Sequence, residues 1–329
     1  MSDWLIYRGS GEPHDGIADL PAPPPWRAFY ADEPTPFDRG HVYGLSVRWP
    51  LRAVAYQADP QMVEMVNTAL YLRRPLLVTG DPGVGKSSLA YAVAHELRLG
   101  PVLRWPITSR STLKDGLYRY DAIGRLEEVD TASPAAPVDV GRYFRLGPLG
   151  TAMAPYALPR VLLVDEIDKS DIDLPNDLLD IFEEGIFEIP ELSRLADTLA
   201  DVEVRPADDG ARVAVTAGRV RCRAFPFVVL TSNGERDFPP AFLRRCVRLH
   251  LPAPTPERLR AIVHAHLGEA TPHAENLISL FLDRRSKGEL ATDQLLQAVY
   301  LARHAAGETA ADRGHVADLV LQYLNQDRR

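Results

Sequence analysis

The spacing of apolar and polar positions changes character along this 329-residue chain. Residues 1–48 keep no period. Prolines recur in PAPPPW (21–26) and DEPTPF (32–37), which argues against helices and for an extended, irregular arm. The arm also carries Trp4, Tyr7, Trp26, Phe29, Tyr30, Phe37 and Tyr43. Free linkers rarely hold so much aromatic surface, so the arm is expected to pack on the body or on a neighbouring subunit.

From residue 60 a helical period sets in. PQMVEMVNTALYLRR spaces Met62, Val63, Val66 and Leu70 for one helix face. PLLVTG then reads as a short buried strand ending at Gly80. KSSLAYAVAHELRLG puts Leu89, Val93 and Leu97 on one helical face, with Gly100 as its stop. VLLVDEID (161–168) and FPFVVLTSN (225–233) are further apolar runs of strand length. Strands interleaved with helices predict an α/β fold with a parallel sheet. Past Leu251 the pattern turns helical in TPERLRAIVHAHL, TPHAENLISLFLDRR, ATDQLLQAVYLARHAA and GHVADLVLQYL. Two of these segments open with Thr-Pro, an N-cap followed by proline at the first helical position. The expected organisation is an arm (1–48), an α/β domain (49–252) and a small helical lid domain (253–329).

Composition narrows the setting. Hydrophobic content of 46% and charged content of 25% suit a soluble globular protein. A net charge of −8 gives no global pull toward nucleic acid or an anionic membrane. No apolar run reaches the roughly 18 residues of a membrane span, and the N-terminus lacks a basic-then-apolar signal pattern. The two cysteines, Cys222 and Cys246, offer no zinc spacing and suit a reducing compartment. A cytoplasmic protein is the expectation.

The chemistry is concentrated in three segments. Gly80, Asp81, Pro82, Gly83, Val84, Gly85, Lys86, Ser87 and Ser88 (GDPGVGKSS) follow a strand and open a helix, the context a P-loop needs. Its glycines let backbone N–H groups turn toward phosphate oxygens, and the helix N-terminus adds partial positive charge. Lys86 is placed for the β- and γ-phosphates and Ser87 for Mg²⁺. VLLVDEID brings Asp165 and Glu166 to the C-terminal end of a strand, where α/β sheets bind ligands. Asp165 suits an outer contact to Mg²⁺, and Glu166 a general base that polarises water. That second role implies hydrolysis, because a kinase must exclude water. Asn233 ends the third run, where an amide orients an attacking water without itself titrating.

Taken together these segments resemble the AAA+ ATPases, and the MoxR-type branch in particular, over about residues 50–325. GDPGVGKSSLA is similar to Walker A, LLVDEIDKS to Walker B and TSN (231–233) to the sensor 1 strand. GPLGTAMAP and DLLDIFEEGIFEIP resemble stretches that flank Walker B in that branch. PPAFLRRC (239–246) resembles the segment that ends in the arginine finger. The resemblance implies an ATPase that uses ATP and Mg²⁺ and forms a homo-oligomeric ring, commonly a hexamer. Arg244 or Arg245 would then reach the neighbour's γ-phosphate, with Arg248 a weaker third candidate. It also implies a chaperone-like remodeller or activator of a protein partner, such as one with a von Willebrand factor A-like domain. At the sensor 2 position, where relatives often carry arginine, this chain has Asp293 and Gln294. Either another arginine such as Arg303 substitutes, or the lid couples weakly to the γ-phosphate. No NKxD segment of the kind that reads guanine is present, which favours ATP. Residues 52–56 are expected near the base, with Tyr56 either stacked on it or packed in the core.

Two inserts are candidates to touch a substrate or partner. In 108–128, Leu117, Tyr118 and Tyr120 either grip a partner or pack beneath the insert. In 202–226, Asp209-Gly210 signals a hairpin turn, and Arg219, Arg221 and Arg223 alternate, so one strand face is expected to be basic. That face would be solvated, or would meet an acidic neighbour or nucleic acid. Nucleic acid is the least expected of these partners. A nucleotide-gated scaffold with little turnover, for instance in a defence system, and a DNA-dependent motor or restriction subunit are the alternative readings.

Overall fold

The computed structural model describes residues 4–29, 53–131, 139–268, 272–285, 290–304 and 320–321. Tyr30, Phe37, Tyr43, Arg52, the Thr-Pro cap at Thr271 and nearly all of the helix expected over 314–324 lie outside the described residues. The chain runs through strands β1 (Leu76–Thr79), β2 (Leu103–Pro106), β3 (Tyr118–Tyr120), β4 (Phe144–Leu146), β5 (Val161–Asp165) and β6 (Ile186–Glu188), then β7 (Asp201–Val204), β8 (Val213–Thr216), β9 (Arg219–Arg221), β10 (Phe227–Ser232) and β11 (Val247–His250). The longer helices are α1 (Pro60–Leu72), α2 (Lys86–Glu96), α3 (Ala122–Thr131), α4 (Leu174–Glu184), α5 (Pro256–Leu267), α6 (Pro272–Arg285) and α7 (Thr292–His304).

The fold is α/β. Five strands form a parallel sheet in the order β11–β1–β10–β5–β2. The three runs read as strands from sequence lie side by side at its centre, buried on both faces as their unbroken apolar character requires. Alternate residues feed opposite cores. Leu76, Val78, Leu163 and Val229 join α1 and α2 on one face, while Leu77, Leu162, Val164 and Val228 face the other. Strand β11 was not evident as a run, because its burial alternates through Val247, Arg248, Leu249 and His250. The C-terminal helices α5, α6 and α7 enclose a separate apolar core built on Leu259, Ile278, Phe281 and Leu295. Thr255 caps α5 by accepting a hydrogen bond from the Arg258 N–H.

Several expectations are corrected in detail. Helix α2 ends at Glu96 rather than running to Gly100, because Arg98 adopts a left-handed conformation with φ of 50°. The 202–226 insert is part of a four-stranded antiparallel sheet, β6–β9–β8–β7. Its tight two-residue turn is Ala217-Gly218, both with positive φ, whereas Asp209-Gly210 sits in a longer connection from β7 to β8. The exposed face is not uniformly basic. Arg219 pairs across to Glu188 and to Thr216, which faces Asp201, and Arg223 lies beyond the strand. In the other insert Leu117 and Tyr118 are buried and Tyr120 stacks on Phe144, so these side chains pack beneath it. The exposed apolar residues there are Ile123 and Leu126 on α3. Cys222 and Cys246 are buried free thiols, and burial pushes both up to about 12.

The described part of the arm lies along its own chain. Asn67, fully buried, uses all its hydrogen-bonding capacity. Its amide oxygen accepts from the Ile6 and Tyr7 N–H groups, and its nitrogen donates to the Tyr7 and Val63 carbonyls. Glu96, also fully buried, accepts from the N–H groups of Arg8, Gly9 and Gly11. Further on, Arg27 donates to the Phe182 carbonyl at the end of α4, and Phe29 stacks on Phe225. Gly185, with φ of 66°, ends α4 where Phe29 leaves no room for a side chain. Trp26 remains exposed.

A buried ion pair closes the second sheet onto the first. Arg160, 1% exposed, meets Asp208 at 2.5 Å and lies over the Tyr156 ring. Removing one member of such a pair strands the other charge. Asp208→Ala is expected to lower stability by about 3 kcal/mol, whereas Arg160→Met with Asp208→Ala restores most of it. Urea unfolding midpoints of the two variants check this.

Candidate nucleotide site

The C-terminal edge of the parallel sheet gathers the glycine-rich loop, Asp165, Glu166 and Asn233, whereas Arg244 and Arg245 precede β11 at the opposite edge. Strand β10 lies between β1 and β5, so the loop after β1, the acidic turn after β5 and the polar tip after β10 are neighbours. Residues Gly80–Ser88 form the loop from β1 into α2, with Gly85 left-handed at the helix N-cap. Among the described residues, no hydrogen bond engages the backbone N–H of Gly83, Val84 or Gly85. Such donors, at a helix N-terminus, suit an anion. Lys86 is buried and its ammonium donates to the carbonyls of Gly80 and Asp81 at 2.7 and 2.8 Å. Burial lowers its pKa, while Asp168, Asp81, Glu166 and Asp165 favour the charged form.

Ser87 and Asp165 meet as a hydrated divalent cation requires. The Ser87 hydroxyl donates to Asp165 Oδ1 at 2.7 Å. Asp165 Oδ1 also accepts from Thr231 on β10, and Oδ2 accepts from Arg104 on β2. A hydroxyl beside a carboxylate is a hard-oxygen donor set that fits Mg²⁺. Burial raises the Asp165 pKa, but the hydrogen bonds from Ser87, Arg104 and Thr231 outweigh it, and the net displacement is downward. A depressed carboxylate stabilises the fold above its unfolded value of about 3.9 and loses that contribution as pH falls through its folded value. The stability gap between wild type and Asp165→Asn is therefore expected to be full above about pH 5 and to shrink below pH 4. Denaturant titrations across that range measure it.

Glu166 follows Asp165 in a left-handed conformation, φ 63°, fixed by its N–H donating to Thr231 Oγ1 at 2.8 Å. Its carboxylate pairs with Lys169 at 2.8 Å, both half exposed. An exposed pair of this kind contributes at most about 1 kcal/mol, so little holds the carboxylate there. Asn233 leaves β10 next to this turn. Its N–H, and that of Glu235, donate to Oδ2 of the buried Asp168.

The two arginine candidates separate. Arg245 donates from Nε to Glu183 at 3.2 Å and from Nη1 to the Ala241 carbonyl. Arg244 is exposed, and its guanidinium has no partner among the described residues. Arg248 is an exposed position of β11.

The C-terminal helical unit touches the loop directly, through Ala291 beside Gly83. Gly83 has φ of 76°, and a Cβ there would sit 2.5 Å from that of Ala291. At the position where sensor 2 is expected, Gln294 accepts from the Ala291 N–H and donates to the Val320 carbonyl. Arg303 bonds to the Leu267 carbonyl at the end of α5. Arg285, at the end of α6, interacts electrostatically with Asp81 of the loop and donates to the Pro254 carbonyl. Tyr56 is half-buried against the core, with its hydroxyl on Met62 and its ring beside Gly85 of the loop. Sequence reasoning did not single out Arg104, Thr231, Asp168 or Arg285. Asp168 and Thr231 stood within the motifs already quoted, but Arg104 and Arg285 carried no local signal.

A family model described as AAA domain (dynein-related subfamily) matches residues 75–246, just over half of the chain. No curated protein sequence matches. Among solved structures, NtrX from Brucella abortus in complex with ADP is 14% identical, with a TM-score of 0.38. The alignment covers 80% of this chain and 54% of that one, so the chain spans about half the length of that relative. The FIGL-1 AAA domain in complex with ADP is 16% identical, with a TM-score of 0.41, covering 91% of this chain and 88% of that one.

Proposed function

Because the chain belongs to the AAA domain family, in its dynein-related subfamily, we propose that it is an AAA+ ATPase of MoxR type. It binds and hydrolyses ATP with Mg²⁺ in a homo-oligomeric ring, a hexamer in this reading, and uses the cycle to remodel or activate a protein partner. The observation that carries this reading is the pairing of Ser87 with Asp165 at 2.7 Å beside a buried P-loop lysine. Lys86 gives up its carbonyl partners to the β- and γ-phosphates. Ser87 and Asp165 would hold the metal ion, which would neutralise charge on the phosphates. Glu166, released from Lys169, takes a proton from the attacking water, and Asn233 orients that water. Arg244 of the adjacent subunit completes the site.

A von Willebrand factor A-like domain remains the proposed partner class, and the location proposed is cytoplasmic. No helix among the described residues is long and apolar enough to cross a membrane. A DNA-dependent motor is less favoured, since Arg219 and Arg221 share their sheet face with Glu188, Asp201 and Glu203. ATP turnover per subunit, measured against protein concentration, tests the reading. Specific activity that rises with concentration is expected for a site shared between subunits. A concentration-independent rate would remove the ring from the mechanism, and bound ATP without turnover would favour a nucleotide-gated scaffold.

A further inference from the structure

We infer that the N-terminal arm positions the trans-acting arginine: Arg27 fixes Glu183, Glu183 fixes Arg245, and Arg244 is thereby presented to the neighbouring subunit. The inference rests on the shared-site reading above, and adds to it a role for an arm outside the segment matched to the family.

Arg27 is 3% exposed, an unusual state for a guanidinium. It donates to the Phe182 carbonyl at 2.8 Å, stands 3.3 Å from Glu183 Oε2 and lies 5.4 Å from the centre of the Phe225 ring. Phe225 is itself held between Phe29 of the arm and Phe182 of α4. Arg27 is therefore a fixed point. Burial weighs against its charge, Glu183 favours it, and Arg74 and Arg245 oppose it.

Glu183 has little reason to be ordered without Arg27. It lies in the last turn of α4, where carbonyls carry partial negative charge and a carboxylate is disfavoured. With Oε2 facing Arg27, its Oε1 accepts from Arg245 Nε at 3.2 Å. Arg245 is pinned at a second point by the Ala241 carbonyl. The backbone of Arg244 is gripped too, its carbonyl accepting from Arg74 at 3.3 Å. The segment is thus tied to α4 and to the approach to β1, while the Arg244 side chain stays exposed. Arginine loses much rotamer freedom on binding, so a rigid base beneath it lowers the cost of reaching a phosphate in another subunit.

Arg27 and Glu183 are positioning residues in this account. Arg27→Met, which keeps the buried stem, and Glu183→Ala, at a half-exposed site that leaves the arm intact, test it. Each variant is expected to lose about tenfold to hundredfold in turnover with ADP affinity unchanged. Each is then mixed with excess full-length Glu166→Gln, which has a disabled site but an intact arginine. Turnover per variant subunit is expected to recover toward wild type, because the neighbour now supplies the arginine. Arg244→Ala in the same mixture is the control. Recovery of Arg244→Ala but not of Arg27→Met and Glu183→Ala would overturn the inference and leave the shared site standing. No recovery in any mixture would remove the shared site and the inference with it. Wild-type turnover in Glu183→Ala alone would also overturn it, since the path from arm to Arg244 runs through that carboxylate.

Discussion

Arg244→Ala lowers ATP turnover of the assembled protein by about 10³-fold, with nucleotide affinity kept within a few-fold. A guanidinium supplied in trans is worth about 10³–10⁵ in rate in the GTPases where it has been isolated, and 10³ corresponds to about 4 kcal/mol of barrier. Arg244 takes the larger loss because its side chain is exposed and has no partner among the described residues, whereas Arg245 is bonded to Glu183 and Ala241 within its own chain. Arg245→Ala therefore falls by a smaller factor. The measurement is kcat together with the dissociation constant of a fluorescent ADP. Equal losses in both variants would return Arg245 to an equal standing, and an unchanged kcat in Arg244→Ala would sink the assignment.

Glu166→Gln abolishes measurable turnover, a loss of about 10²–10⁴-fold, and retains ATP. The substitution keeps size and hydrogen bonding but removes the proton acceptor. Its carboxylate influences the phosphate cradle through charge, as one of several acidic groups that favour the Lys86 ammonium. The backbone N–H of Glu166 anchors to Thr231, and the hydrogen-bonding partner of its carboxylate among the described residues is the exposed Lys169. Lost binding in this variant would show that the carboxylate supports the loop rather than the water. Thermal unfolding should change little, since the ion pair given up is exposed.

The parts of the fold that were legible in the sequence share one property: their signal is local. β1, β5 and β10 are unbroken apolar runs because both faces are covered, and the P-loop is recognisable because glycine and lysine stand at fixed offsets. Gly100 misled because a left-handed arginine at 98 ended α2 first. Asp209-Gly210 misled because its loop serves to present Asp208 to Arg160, leaving the tight turn to Ala217-Gly218. On β9 the alternation holds for Arg219 and Arg221 but not for Arg223, which lies beyond the strand, and a strand's charge is set by the strands beside it, here through Glu188 and Asp201 from elsewhere in the chain. Arg104 was invisible for the same reason, since only the parallel pairing of β2 with β5 brings it to Asp165. Asn67 and Glu96 read as ordinary polar helix positions, yet each is fully buried as an anchor for the arm. Their role depends on residues 60 to 88 positions away.

Those separations set an order of events on the ribosome. Arg8 is made 88 residues before Glu96, and Arg27 is made 155 residues before Phe182. At about 5–20 residues per second, the first anchor waits roughly 4–20 s for its partner and the second roughly 8–30 s. The arm therefore waits for partners that are made well after it. During that interval Tyr7 and Phe29 have no core to enter, which makes the nascent arm a natural client for chaperones that hold exposed aromatic chain. Its docking at the end of α4 marks the moment when the segment leading to Arg244 can be built on a finished base.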